Sequence, residues 1–188
     1  MTTATELHPA AKASWKLLAD RVEQERDPRH RANLEVVARH VEEEVRGDMD
    51  ALMATLVPEP QYRIWGASSS TGPKGHAEVV AHYQAMFDSG KSRLEYEVTR
   101  VVVDDDTVVT EGIFRHAYTG ATLAGRVVAA DEVDLERWYL VEYHALVVWP
   151  IGADGLIEGE EIYAGEPPRI VRALEPGECP HLGPVDRS

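Results

Sequence analysis

Arg93–Thr119 reads RLEYEVTRVVVDDDTVVTEGIFRHAYT and Arg137–Trp149 reads RWYLVEYHALVVW. Both runs are rich in Val, Tyr and other β-formers and repeat with a period of two, and Asp104-Asp105-Asp106 breaks the first into two strands. Working outward, strands are predicted at about 93–103, 107–119, 125–133, 137–149 and 156–164, with Gly120 and Gly152-Ala153-Asp154-Gly155 as connections. Upstream the period is helical. Ala11, Trp15, Leu18 and Val22 share one face of a first helix, after which Arg26-Asp27-Pro28-Arg29-His30 breaks the pattern and reads as a short linker. Leu34, Val37, Ala38, Val41 and Val45 stripe a second helix that Gly47 ends. Asp48 caps a short third one with Met49, Leu52, Met53, Leu56 and Val57 inward, stopped by Pro58 and Pro60. Gln61–Trp65 reads as a strand, Ser68–Pro73 as a loop, and Gly75–Asp88 as a fourth helix with Val79, Val80, Tyr83, Met86 and Phe87 on one face. Helices, one strand, a helix and then a meander predict an α+β fold with the helices on one face of an antiparallel sheet.

The chain has 188 residues, the size of one domain. Its 19 Lys and Arg against 33 Asp and Glu give a net charge of −14, which repels nucleic-acid phosphates and anionic lipid heads and leaves a neutral or cationic small molecule, or a protein, as partner. Cys179 stands alone, so no intrachain disulfide forms; this fits a reducing compartment, and no stretch reads as a signal peptide or membrane span. A cytoplasmic protein is expected.

Three stretches resemble a known family. Asn33–Gly66 (NLEVVARHVEEEVRGDMDALMATLVPEPQYRIWG) resembles the opening helices and first strand of the nuclear-transport-factor-2-like cone fold, in its SnoaL-like branch related to ketosteroid isomerase, scytalone dehydratase and limonene epoxide hydrolase. Gly75–Tyr83 (GHAEVVAHY) resembles that family's Gly-led third helix, and Val147–Tyr163 (VVWPIGADGLIEGEEIY) its final hairpin. The likeness spans about residues 31–165, leaving residues 1–30 as an N-terminal helical extension and 166–188, which hold five of the 11 prolines, as an irregular tail. It implies a curved sheet wrapped around the helices, an apolar pocket inside the cone, catalytic groups projecting into it, and a homodimer.

Alternation in 138–148 places Leu140, Glu142, His144, Leu146 and Val148 on one strand face, and Val141, Tyr143, Ala145 and Val147 on the other. If the first face turns inward, burial shifts Glu142 and His144 toward their neutral forms and equips them for acid–base chemistry; if the second does, they are a solvated or dimer-facing pair. Both faces carry apolar residues, and both readings stay open. The preceding strand leaves the same choice open, with Phe114, His116 and Tyr118 on one face and Glu111, Ile113 and Arg115 on the other. A His116/His144 pair resembles the histidines of scytalone dehydratase, whose aspartate position falls near Glu44 or Val45 here; the simplest reading of Glu42-Glu43-Glu44 is a solvated helix face. The catalytic aspartate of ketosteroid isomerase falls at Trp65 or Gly66, neither of which takes a proton. Tyr62, Trp65, Tyr83, Phe114 and Tyr118 are the candidate substrate-binding residues, and His82 borders the apolar face of its helix. There is no phosphate-cradling Gly loop, no HExxH and no Ser elbow, and Cys179-Pro180-His181 lacks a partner cluster. The expectation is therefore a pocket protein binding an apolar small molecule for cofactor-free, metal-free lyase, isomerase or cyclase chemistry through His144, Glu142 and His116, or else a non-catalytic ligand-binding or dimerisation domain of the same fold.

Overall fold

Asp27 starts the long helix of the cone. In the computed structural model its side chain accepts hydrogen bonds from the N–H groups of Arg29 and His30, Pro28 occupies the first helical turn, and α2 runs Pro28–Arg46. Gly47, with φ 72°, closes it in the left-handed conformation expected of a helix-ending glycine. The structure describes residues 9–66, 71–125, 127–129 and 131–183. The predicted loop at Ser68–Pro73 lies partly outside them.

The remaining helices are α1 (Ala13–Gln24), α3 (Met49–Met53), α4 (Gly75–Ser89) and the single turn α5 (Gly120–Leu123). The strands are β1 (Arg63–Trp65), β2 (Glu95–Asp104), β3 (Thr107–Thr119), β4 (Trp138–Pro150), β5 (Glu161–Ala164) and β6 (Arg169–Ala173). They form one curved sheet in the order β1-β5-β4-β3-β2, antiparallel except for β1, which joins β5 in parallel; β6 pairs with β4. The α+β architecture is thus as expected, with that one parallel edge.

Curvature has a local cause. The β2/β3 register shifts between Val98 and Arg100, and opposite the shift sits Gly112, where an added Cβ would lie 2.2 Å from the Glu97 carbonyl oxygen. Glycine lets the two backbones close at the bend. The helices fill the concave side, and one core runs from Leu18 through Leu34, Val37 and Val41 to Tyr96, Val108, Val147 and Trp149. The N-terminal extension shares this core: Leu18 is fully buried, and Ser14 Oγ accepts the Tyr96 N–H at 2.9 Å.

Two segments depart from expectation. The predicted strand at 125–133 is absent among its described residues; Thr119 instead caps α5, and only an isolated bridge joins Ala124 to Val128. Both edges of β3 are already taken by β2 and β4, so the segment that follows it has no open edge of β3 to join. In the tail, β5 covers only 145–148 of β4, leaving Tyr139–Glu142 with open backbone groups, and Arg169–Ala173 fills that edge as β6. Beyond it Leu174 and Leu182 cross the outer sheet face to pack with Ala117, His181 bonds Glu95, and Arg93 donates to the Gly183 carbonyl.

Candidate functional site

The helices decide which sheet face is the inside. Phe114, His116, Tyr143, Val147 and Trp149 point toward α2 and α4, and with Val41, Glu44, Tyr62, His82, Tyr83 and Glu160 they line a cavity of about 130 Å³. β3/β4 register pairs Phe114 with Tyr143, and His116 with Val141, so these are one inward set. Tyr96, Phe114, Tyr143, His116 and Tyr118 form a near-parallel aromatic wall, successive interplanar angles being 11°, 9°, 8° and 9°.

His144 and Glu142 therefore lie outside. The two catalytic expectations placed there are corrected: His144 Nε2 is 3.1 Å from Glu111, and Glu142 is 3.3 Å from Arg115 and bonded to Arg169, all on the convex face. The larger side chains of the other set, Tyr143 and Trp149, fill the space under the helices, and a one-residue choice of face carries every alternate side chain with it. Trp65 is also outward, 40% exposed and stacked on Tyr163 at 6.1 Å, instead of at the cavity mouth. Tyr62, Tyr83, Phe114 and His116 are at the cavity; Tyr118 backs His116, ring centroids 5.2 Å apart. On β4 Val141, Val147 and Trp149 are buried and Tyr143 lines the cavity, so none of them offers an apolar face to a second copy. The convex face instead carries ion pairs, Arg100 with Glu111 and Arg115 with Glu97 among them.

Behind the cavity lies a buried polar chain that sequence reading missed. His40, fully buried on α2, has Nδ1 2.6 Å from Thr55 Oγ1 and Nε2 3.2 Å from Glu160 Oε1. Tyr83 donates to the same Glu160 oxygen at 2.8 Å, and its hydroxyl is 2.8 Å from that of Tyr62. Burial opposes the charge on Glu160, but the His40 and tyrosine hydrogen bonds outweigh it and hold the carboxyl below its ordinary range. Burial, with the nearby Glu160 charge, drives both tyrosines well above the ordinary phenol value, so they stay hydrogen-bond donors.

Glu44 stands on the cavity wall. It keeps some accessible surface because the cavity opens onto it, yet protein surrounds its carboxyl; burial, reinforced by the Glu160 charge, pushes its pKa up to about 8. Burial takes His116 the other way, down to about 4, so this histidine is neutral at pH 7; its Nδ1 has no hydrogen-bond partner, and Nε2 lies 3.4 Å from the Tyr143 hydroxyl. Two groups are thus neutral here, a carboxylic acid and an imidazole, against one fixed carboxylate.

Glu44 follows Val37 by seven residues and Val41 by three, which puts it on the inward stripe of α2; the Glu42-Glu43-Glu44 run masks that spacing. Glu160, the residue before β5, alternates with inward Ile162, a signal readable only once the face is known.

A family model for the SnoaL-like domain matches residues 37–141. The chain belongs to the SnoaL-like domain family. Solved structures agree with the fold of this SnoaL-like domain. A structure named for a SnoaL-like polyketide cyclase from Jannaschia sp. CCS1 is 21% identical, with a TM-score of 0.55, covering 76% of this chain and 91% of its own. Bal32a, from a soil-derived mobile gene cassette, is 16% identical with a TM-score of 0.53, covering 73% and 92%. SalBIII, an epoxide hydrolase/cyclase-like enzyme named for pyran ring formation in the polyether salinomycin, is 14% identical with a TM-score of 0.51, covering 71% and 90%. No curated protein matches the chain.

Two other features of the SnoaL-like domain are set aside as the site. A groove of about 530 Å³ lies between the tail and the outer ends of β3 and β4, but its acids Glu175 and Glu178 are exposed and paired with Arg137 and Arg172. Among the described residues His30, Asp104 and Asp105 bring possible metal-ligand atoms together at the surface, where His30 is bonded to Asp105. Among the same residues no helix is long and apolar enough to cross a membrane.

Proposed function

We propose that this domain binds a neutral, largely apolar small molecule in the cone and moves a proton on it without a cofactor, in a lyase, isomerase or cyclase reaction, with Glu44 as the acid–base group. The observation that carries this reading is the Glu44 carboxyl in the cavity wall with a pKa pushed to about 8. A carboxylic acid titrating near neutrality is protonated often enough to donate and weak enough to take the proton back, the condition for general acid–base catalysis.

The cavity sets the size of the reacting part. An engineered cavity of about 150 Å³ in another protein holds one benzene, so about 130 Å³ accommodates a single small ring at most. The aromatic wall offers that ring a stacking surface, and the Tyr143 hydroxyl and neutral His116 offer polar contacts without net charge. In such a complex Glu44 donates its proton to a carbonyl or departing hydroxyl oxygen, and its carboxylate then removes a proton from the adjoining carbon or hydroxyl; the enzyme ends as it began. The ring-forming chemistry named for SalBIII belongs to the same class.

A thermal-shift screen of neutral monocyclic carbonyl and hydroxy compounds supplies the probe, and solvent deuterium exchange or elimination on the hits, read by NMR, supplies the rate. Glu44→Gln should lower that rate roughly 100-fold or more. Full turnover in folded Glu44→Gln overturns the assignment, and ligands that bind without any exchange support the non-catalytic reading instead.

A further inference from the structure

The buried chain behind the cavity fixes where its protons are. Thr55 donates its one hydroxyl proton to the Leu52 carbonyl at 2.6 Å. Its oxygen can then only accept from His40 Nδ1, also 2.6 Å away, so Nδ1 carries a proton. At the opposite end Tyr83 directs its proton to Glu160 Oε1, and the Tyr62 hydroxyl in turn donates to Tyr83. His40 Nε2 faces both oxygens, 3.0 Å from Tyr83 and 3.2 Å from Glu160. A bare Nε2 would set its lone pair against the oxygen of a carboxylate and against a hydroxyl whose one proton is already directed to that carboxylate, in a site where His40 has no exposure. A proton on Nε2 resolves the conflict with a hydrogen bond shared between them.

We propose that His40 is a positioning residue that carries a proton on both ring nitrogens and so holds Glu160 as a carboxylate, leaving the Glu44 proton as the one available to chemistry in the cavity. This rests on the reading of Glu44 given above. His40 is out of reach of a ligand: Thr55, Tyr83, Glu160 and the Trp149 ring, whose centroid is 5.6 Å away, face it from α3, α4, β5 and β4 and their flanks. Its role is electrostatic and geometric. With a cation beside it and with Tyr83 and Tyr62 already donating toward it, Glu160 is a fixed anion and a poor base.

The test reads protons directly and needs no substrate. In the ¹⁵N-labelled native chain both His40 ring nitrogens should resonate in the protonated range at pH 7, each coupled to a slowly exchanging proton. One nitrogen in the unprotonated range overturns the proposal. In His40→Gln, which keeps a donor toward Glu160 but no charge, the ¹³C carboxyl signal of Glu160 should move to the protonated position at pH 7, whereas Glu44→Gln should leave the His40 signals in place. A Glu160 signal that stays ionised in folded His40→Gln also overturns it. A doubly protonated His40 in a protein that turns nothing over removes the catalytic reading alone; Glu44-dependent turnover with a singly protonated His40 removes this one alone.

Discussion

At the scale of single residues, Glu44 has a consequence that needs no ligand. Its pKa rises from the ordinary 4.5 to about 8 on folding, first through burial and then through the Glu160 charge. Between those two values the unfolded chain has released the proton and the folded chain holds it. The stability it contributes is therefore complete below about pH 4.5 and is lost as pH rises through 8. Glu44→Gln has no such proton, so its Tm should fall less than that of the native chain between pH 5 and 8.5; parallel curves would show that the carboxyl is not buried. His116 acts in the opposite window. Its depressed pKa gives stability that is present above about 6.5 and lost as pH falls through 4. His144→Ala removes only the convex pairing with Glu111, and turnover should stay within about twofold of native; a 100-fold loss would return His144 to the reaction.

At the scale of elements, the amphipathic patterns of α1, α2 and α4 were legible because each has one dry side. Leu18 shows that the N-terminal helix is part of the core: it is fully buried in the cluster shared by α2 and β2. Leu18→Ala should cost roughly 2–5 kcal/mol, lowering Tm by about 2–4 °C for each kcal/mol in a chain of this size. An unchanged melting temperature would show α1 to be a loose appendage. β4 was legible as a strand but not in its orientation, because Leu140, Leu146 and Val148 make its outer face apolar enough to pass for an inner one. β6 was hidden by the prolines that flank it, Pro167, Pro168 and Pro176: Arg169–Ala173 is strand-forming only because β5 stops short and leaves β4 an open edge.

At the scale of the molecule, the curved sheet sorts charge. The convex face carries Arg115 among Glu95, Glu97 and Glu142, with His144 against Glu111, and the C-terminal tail crosses one end of it. Pairs of this kind at a surface add little stability, and their effect falls with salt. The stacked Trp65 and Tyr163, 40% and 41% exposed, are the large aromatic groups left on that face. Self-association through the convex face is expected to rest on them. Sedimentation at micromolar concentration should give a species near twice 20.9 kDa that Trp65→Ala returns to monomer; a native chain that sediments only as monomer removes the homodimer.

The sequence by itself determined the element order, the α+β class, the helix end at Gly47 and the resemblance to the SnoaL-like family, because periodicity, caps and turn residues are local and act over a few positions. The linker read at 26–30 ends at Asp27, since that side chain caps α2 and makes Pro28 its first turn. Tyr62, Tyr83, Phe114 and His116 were named from the sequence as candidates, and the structure brings them to one cavity. Only the tertiary structure decided that Tyr143 and Trp149 turn inward while Glu142 and His144 turn out, since helices distant in sequence choose the face. Only it joined His40, Thr55, Tyr83 and Glu160, which lie up to 120 positions apart, and made Glu44 an acid that titrates near pH 8. A carboxyl's burial and its neighbouring charges come from chain segments that meet only when the cone closes.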